Sequence, residues 1–220
     1  VLDRSGYFET VTLSEDDLKR NDMYRANAQR AKAQSRFADY HDYLLSLEMT
    51  AEIGNFSPLY LQRITQLTNK SNQFNLTTKR YTAEQMEAVY NSDEYIRLYG
   101  KLYDKFGDNG VVAVTIGKTD SEDKGRLDIE LWLMSCRVLK RDMELAMLDS
   151  LVAQAKKRGI REIYGHYYPT AKNKMVAGLY ESFGFEKISQ DEEGNTAWRL
   201  LVEGYEDKNT VIKVKEEHYA

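Results

Sequence analysis

Between Arg126 and Tyr164 the chain passes from one apolar run through an amphipathic helix into a second apolar run, and no other feature constrains the fold as much. Residues 126–134 read as a strand. Residues 142–158 put Leu145, Leu148, Val152 and Ala155 on one helical face, and Gly159 supplies the stop. Residues 160–164 read as the next strand. A strand–helix–strand crossover of this kind implies a parallel pair within one sheet.

The other strands read as antiparallel. Ile96, Leu98, Gly100 and Leu102 alternate with polar residues, Asp108-Asn109-Gly110 is a hairpin signal, and residues 111–116 form the returning strand. Further strands are expected at 49–53, 185–189 and 196–202. Ser57-Pro58 starts a helix that buries Leu61, Ile64 and Leu67, and Thr82 with Gln85 forms a capping box for a helix carrying Met86, Val89 and Tyr90. Residues 172–182 read as the last helix. At the N-terminus, residues 16–35 are rich in helix formers, with a thin stripe of Leu18, Met23, Tyr24, Ala28 and Ala31. Phe37, Tyr40, Leu44 and Leu47 mark a second helical face. The order predicts an α/β fold: a mixed, mostly antiparallel sheet flanked by helices, with an N-terminal helical extension. Three parts are expected: a helical segment or linker (1–43), the α/β domain (44–203) and a charged, peripheral tail (204–220).

Composition removes several function classes. With 42% hydrophobic and 30% charged residues the chain suits a packed globular domain, and a net charge of −4 gives no electrostatic case for nucleic acid. A single cysteine, Cys136, excludes an intrachain disulfide and fits a reducing compartment, with the cytoplasm as default. His41, His166 and His218 lack zinc-ligand spacing, so no metal is expected. No apolar run approaches the ~18 residues of a membrane span. Val1 is not an initiator methionine, which suggests a piece of a longer polypeptide.

Three stretches carry a more specific signal: residues 63–77 (RITQLTNKSNQFNLT), residues 132–139 (WLMSCRVL) and residues 167–173 (YYPTAKN), the last leading to Phe183-Gly184-Phe185. Together with the element order they resemble the C-terminal, GNAT-like acyltransferase region of the FkbH-like family over nearly the whole chain. That resemblance implies a complete protein with a preceding HAD-type phosphatase module, whose Asp-x-Asp nucleophile motif is not found here. It also implies that a phosphorylated three-carbon acid is handled and loaded as a thioester onto an acyl carrier protein. The implied cofactor is acyl-CoA or a carrier-bound phosphopantetheine. A non-catalytic module that binds the carrier or its arm, and a coenzyme A-dependent N-acetyltransferase, stand as alternatives.

The resemblance also distributes roles. A GNAT fold holds a diphosphate at an Arg-x-x-Gly-x-Gly turn before a helix, where glycine lets main-chain N–H groups approach the anion. Here that turn reads Arg137-Val138-Leu139-Lys140-Arg141-Asp142, with both glycines replaced. It is either a phosphate cradle, with Arg137, Val138 and Arg141 binding the cofactor alongside Lys172 and Asn173, or a loop that merely starts a helix. Cys136 is a candidate acyl acceptor, since neighbouring cations favour the nucleophilic thiolate, or a small buried residue. Asn173 and Tyr180, seven residues apart, would share a helix face, the first holding a pantetheine amide and the second acting as general acid, unless the tyrosine is core. Gln66, Asn69, Lys70, Gln73 and Asn75, with Tyr167 and Thr170, are candidate contacts to a small polar acid, against the simpler use of Asn and Ser in caps and loops. His166 has the titration range of a general base, but a lone histidine is usually a hydrogen-bonded surface group.

Overall fold

The computed structural model describes residues 15–216, with the side chains of 15–21 and of 216 outside the description. Leu18, His218 and the Val1 terminus thus lie outside the described side chains and residues. The chain divides into two compact units, Val1–Tyr43 and Leu44–Ala220. In the first, helix α1 (Glu15–Gln34) leaves Tyr24, Ala28 and Ala31 exposed, and among its described side chains the buried ones are Ala26 and Arg30. Of the stripe Leu18, Met23, Tyr24, Ala28 and Ala31, the last three therefore face solvent and Met23 is half-buried, while the Leu18 side chain lies outside the description. Alanines add little apolar area to hold such a stripe inward. Tyr43 gathers Phe37 and Tyr40 at ring distances of 6.2 and 5.5 Å, and α2 (Tyr40–Ser46) begins there.

The second unit runs β1 (Thr50–Asn55), α3 (Pro58–Lys70), β2 (Phe74–Asn75), α4 (Ala83–Asn91), β3 (Tyr95–Asp104), β4 (Gly107–Thr119), β5 (Arg126–Met134), α5 (Met143–Lys157), β6 (Glu162–Tyr167), α6 (Leu179–Ser182), β7 (Glu186–Gln190), β8 (Thr196–Leu201) and β9 (Lys213–Glu216). Eight strands lie in the order β7-β8-β6-β5-β4-β3-β1-β9, and β2 pairs with β5. The crossover through α5 makes β5 and β6 parallel, as the sequence requires.

Two helical layers sandwich the sheet. Ile64 and Leu67 of α3 and Met86 and Val89 of α4 pack on a face made by Tyr99, Val114, Ile116, Leu131 and Leu133. The capping box forms as read: the Thr82 hydroxyl accepts from the Gln85 amide at 3.2 Å, and the Gln85 side chain accepts from the Thr82 amide at 2.9 Å. On the other face α5 buries Met143, Met147, Leu148, Leu151 and Val152. Gly100 sits beneath it: a Cβ there would lie 2.3 Å from Met143 Cε and 2.8 Å from Met147 Sδ.

Three local readings are corrected. Asp108-Asn109-Gly110 is not the hairpin turn, because Asp104 already pairs with Gly107. The Asp104 carboxylate accepts from Phe106 N at 2.8 Å and tightens the true turn, while the Asn109 amide donates to Leu102 O inside a register shift of β4. Residues 172–182 are not one helix. A 3-10 turn (Lys174–Val176) and the four-residue α6 replace it, with Gly178 between them. Finally, of the expected 204–220 tail, the described part, 204–216, is more than peripheral. Val211 and Ile212 are buried, and β9 pairs in parallel with β1.

Candidate functional site

Helix α3 places Arg63, Leu67 and Lys70 on one face, since these positions are four and three residues apart. That face meets the end of β5. Ser135 N donates to Val112 O at 2.7 Å, and the Ser135 hydroxyl accepts from Arg137 N at 3.4 Å, so the strand closes into a 3-10 turn, Cys136–Val138. The turn drives Val138 into the core and leaves Cys136 and Arg137 exposed. Between these walls, with Gln73 and Phe74 on one side and Ala171 and Lys172 on another, lies a cleft of about 760 Å3. Its charged lining is Arg63, Lys70, Arg137 and Lys172, and it includes no carboxylate. Burial, and then the like charge of Arg137, pull the Arg63 guanidinium below the usual arginine range. Arginines crowded in this way favour an anion between them.

Each of the three stretches singled out in the sequence contributes to this cleft: Lys70 and Gln73 from the first, Cys136 and Arg137 from the second, Lys172 from the third. Arg63 was not among the expected site residues, although its spacing to Leu67 and Lys70 was readable.

The other expected residues lie elsewhere. Gln66 is exposed on α3, outside the cleft lining. The Asn69 amide donates to Thr65 O and Tyr81 O at 3.1 and 3.2 Å, tying α3 to the segment before α4. Asn75 and Asn173 are fully buried. Asn173 accepts from the Thr170 amide (2.7 Å) and hydroxyl (3.0 Å), and donates to Asn75 O (3.0 Å) and Tyr168 O (2.9 Å). Tyr167 is buried, with its hydroxyl 3.5 Å from the same Asn173 oxygen. Asn173, Thr170 and Tyr167 thus hold a loop together. Arg141 turns away from the cleft to meet Asp104 at 3.0 Å. Val138 is sealed in the core, and its amide donates to Ser135 O at 3.2 Å.

Tyr180 also departs from its expected place. It is 1% exposed, in an aromatic cluster with Phe185 (4.9 Å), Trp132 (6.3 Å) and Trp198 (6.4 Å), and burial pushes its phenol above the usual range. With the intended helix broken at Gly178, Tyr180 and Asn173 share no helical face. His166 faces Asp128 at 3.3 Å, away from the cleft.

The sequence matches no family model and no curated protein. Solved structures do resemble the fold. The ribosomal-protein-S18-alanine N-acetyltransferase of Escherichia coli superposes with a TM-score of 0.52 at 14% identity, covering 73% of this chain and 99% of its own. The yncA protein of Salmonella typhimurium, solved with its cofactor acetyl-CoA, gives 0.52 at 14% over 72% of this chain and 96% of its own. The GNAT domain of S. lividans PAT gives 0.53 at 15%, covering 68% and 89%. The chain has the GNAT fold.

Within this GNAT fold, the turn before α5 keeps a glycine-like path without glycine. Lys140 (φ 63°) and Asp142 (φ 59°) are both left-handed, at the two positions where the motif places glycine. Each such residue costs on the order of 1 kcal/mol, which the surrounding packing must offset. Among the described residues no His, Cys, Asp and Glu cluster could hold a metal, and no helix is long and apolar enough to cross a membrane.

Glu144 adds an acid to the first turn of α5. Its Oε2 is buried with no hydrogen-bond partner. Burial, reinforced by Asp142, pushes its carboxyl up from 4.5 to about 7, although its own main-chain N–H pulls the other way. The folded chain therefore holds this proton up to near-neutral pH, whereas the unfolded chain releases it near 4.5. Between those values the native state binds more protons, so stability falls as pH rises. Glu144→Gln is expected to flatten that slope and to exceed the parent by roughly 1–3 kcal/mol above neutral pH. Urea midpoints at pH 5 and pH 8 check this, and equal pH slopes in the two proteins would count against it.

Proposed function

We propose that this GNAT-fold domain transfers an acyl group through Cys136, with a small anionic acid held by Arg63, Lys70, Arg137 and Lys172. The observation that carries the reading is the cleft itself, where one exposed thiol stands in a wall whose charged side chains are all cations. In the first step the Cys136 thiolate attacks the acyl carbonyl of a thioester, the donor's C–S bond breaks, and the donor thiolate takes the proton that Cys136 gave up. In the second the acceptor's thiol attacks the acyl-cysteine, returning Cys136 to its starting state. The cations orient the acid's charged end and hold the carbonyl against the thiol.

The convergence of the three FkbH-like stretches on one cleft supports a glyceryl-type acyl group and an acyl carrier protein as partner, as in methoxymalonyl-carrier extender biosynthesis. A HAD phosphatase module in a longer polypeptide belongs to the same reading. The likeness to acetyltransferases, one of them solved with acetyl-CoA, favours a second reading: coenzyme A-dependent acetyl transfer to an amine. The left-handed residues at 140 and 142 also favour it.

Intact-mass spectrometry after incubation with acetyl-CoA and, separately, with an acyl-loaded carrier protein separates these readings. The expected result is an adduct on the parent chain that is absent from Cys136→Ala. Acetylation of an added amine that survives Cys136→Ala would establish the second reading. Carrier binding with no adduct on any residue would leave a non-catalytic docking module.

A further inference from the structure

Strands β5 and β6 pair in parallel only at Arg126–Glu162, Leu127–Ile163 and Asp128–Tyr164. Beyond that point they part, while β5 continues to Met134. A gap within a sheet leaves main-chain N–H and C=O groups on its inner edge, and such an edge pairs with any extended chain that carries amides. A pantetheine arm, extended and bearing two amides, is a ligand of that kind.

The edge is already taken by the protein's own residues. Phe74 pairs with Met134 and Asn75 with Leu133. Leu76 N donates to Trp132 O at 3.1 Å, and the Thr77 hydroxyl donates to Glu130 O at 2.7 Å. Glu130 is the extra residue of a β-bulge, since Ile116 faces Leu131 while Gly117 faces Ile129. The far side is tied as well, with Tyr168 N donating to Leu76 O at 2.9 Å and the Asn173 amide to Asn75 O at 3.0 Å. Phe74, Asn75 and Leu76 are buried. The segment then leaves through Thr78, a β-branched residue held at φ 55° by the bond from its N–H to the Asn75 side chain. Such a residue adopts this conformation only where its surroundings over-determine it.

We propose that residues 74–77 are a resident strand sealing the gap between β5 and β6, so that a pantetheine-bearing donor reaches Cys136 through the cationic cleft and not along the β5 edge. Asn173 is then a positioning residue for that strand, and it does not bind the cofactor. The inference rests on the proposed acyl transfer only for naming Cys136 as the destination.

Hydrogen exchange on the full chain, with and without millimolar acetyl-CoA, tests it. The amides of Asn75 and Leu76 are expected to exchange slowly and at the same rate in both conditions. Acetyl-CoA that speeds their exchange tenfold or more would overturn the proposal, because the arm would then be displacing the strand. Thr77→Val keeps the shape of the side chain and removes the bond to Glu130, and it is expected to raise exchange at Leu76 several-fold. Unchanged exchange in that variant would mean the strand is not held as described. The exchange readout is independent of any adduct on Cys136, so the strand assignment and the acyl-transfer reading fail separately.

Discussion

Arg141→Ala is expected to destabilise the domain by about 3–5 kcal/mol, the range seen when one partner of a buried ion pair is removed. The Asp104 side chain is 0% exposed, and Arg141 reaches it at 3.0 Å, with Asn109 Oδ1 a further 3.5 Å contact. Deleting the guanidinium leaves a carboxylate in a place that water does not reach. For a chain of this size the loss corresponds to a fall in Tm of roughly 10 °C. Arg137→Ala is the contrast, since an exposed cation in the cleft contributes little to folding but should weaken anion binding. Thermal unfolding of the two variants side by side decides the matter. Equal, small shifts would show that Arg141 is not a structural cation.

Trp132→Ala is expected to cost a similar ~3–5 kcal/mol, as for other large aromatic truncations in cores. Trp132 is 0% exposed and packs on Phe183 at 5.4 Å and edge-on to Tyr180 at 6.3 Å. The ring therefore joins β5, whose edge holds the resident strand, to the α6 segment. Trp132→Phe should cost less than about 1.5 kcal/mol, since it keeps most of the packing and removes an indole N–H that has no partner. Urea unfolding of both variants checks the ordering. A phenylalanine variant as damaged as the alanine one would mean that the indole nitrogen carries a bond the packing argument leaves out.

The element order was legible because it rests on local periodicity and capping. Thr82 and Gln85 lie three residues apart, and their box forms without help from the rest of the fold. The crossover at 126–164 was legible for the same reason. The short β2 was not, because its two residues carry no period and sit in a run of amides and serine that reads as loop. Asn173 was misread because seven-residue spacing means a shared face only in an unbroken helix, and Gly178 breaks this one. Asp108-Asn109-Gly110 has the composition of a turn, but Asp104 closed the hairpin earlier.

The cleft was half legible. Lys70, Gln73, Cys136, Arg137 and Lys172 could be named as polar candidates, but their gathering into one cationic wall depends on contacts between distant parts of the chain. Arg141 shows the limit. Its charge and its place in the turn match Arg137, yet one faces the cleft and the other is buried against Asp104.

By itself the sequence determined most of the alternation of strands and helices and the one parallel crossover, since each follows from neighbours a few residues apart. Only the tertiary structure decided which cations share a cleft and what fills the gap beside β5. Those outcomes turn on pairings such as Asn173 with Asn75, separated by 98 positions. No local pattern encodes the closure of so long a loop, because its stability comes from burial and hydrogen bonds that exist only once the sheet has formed.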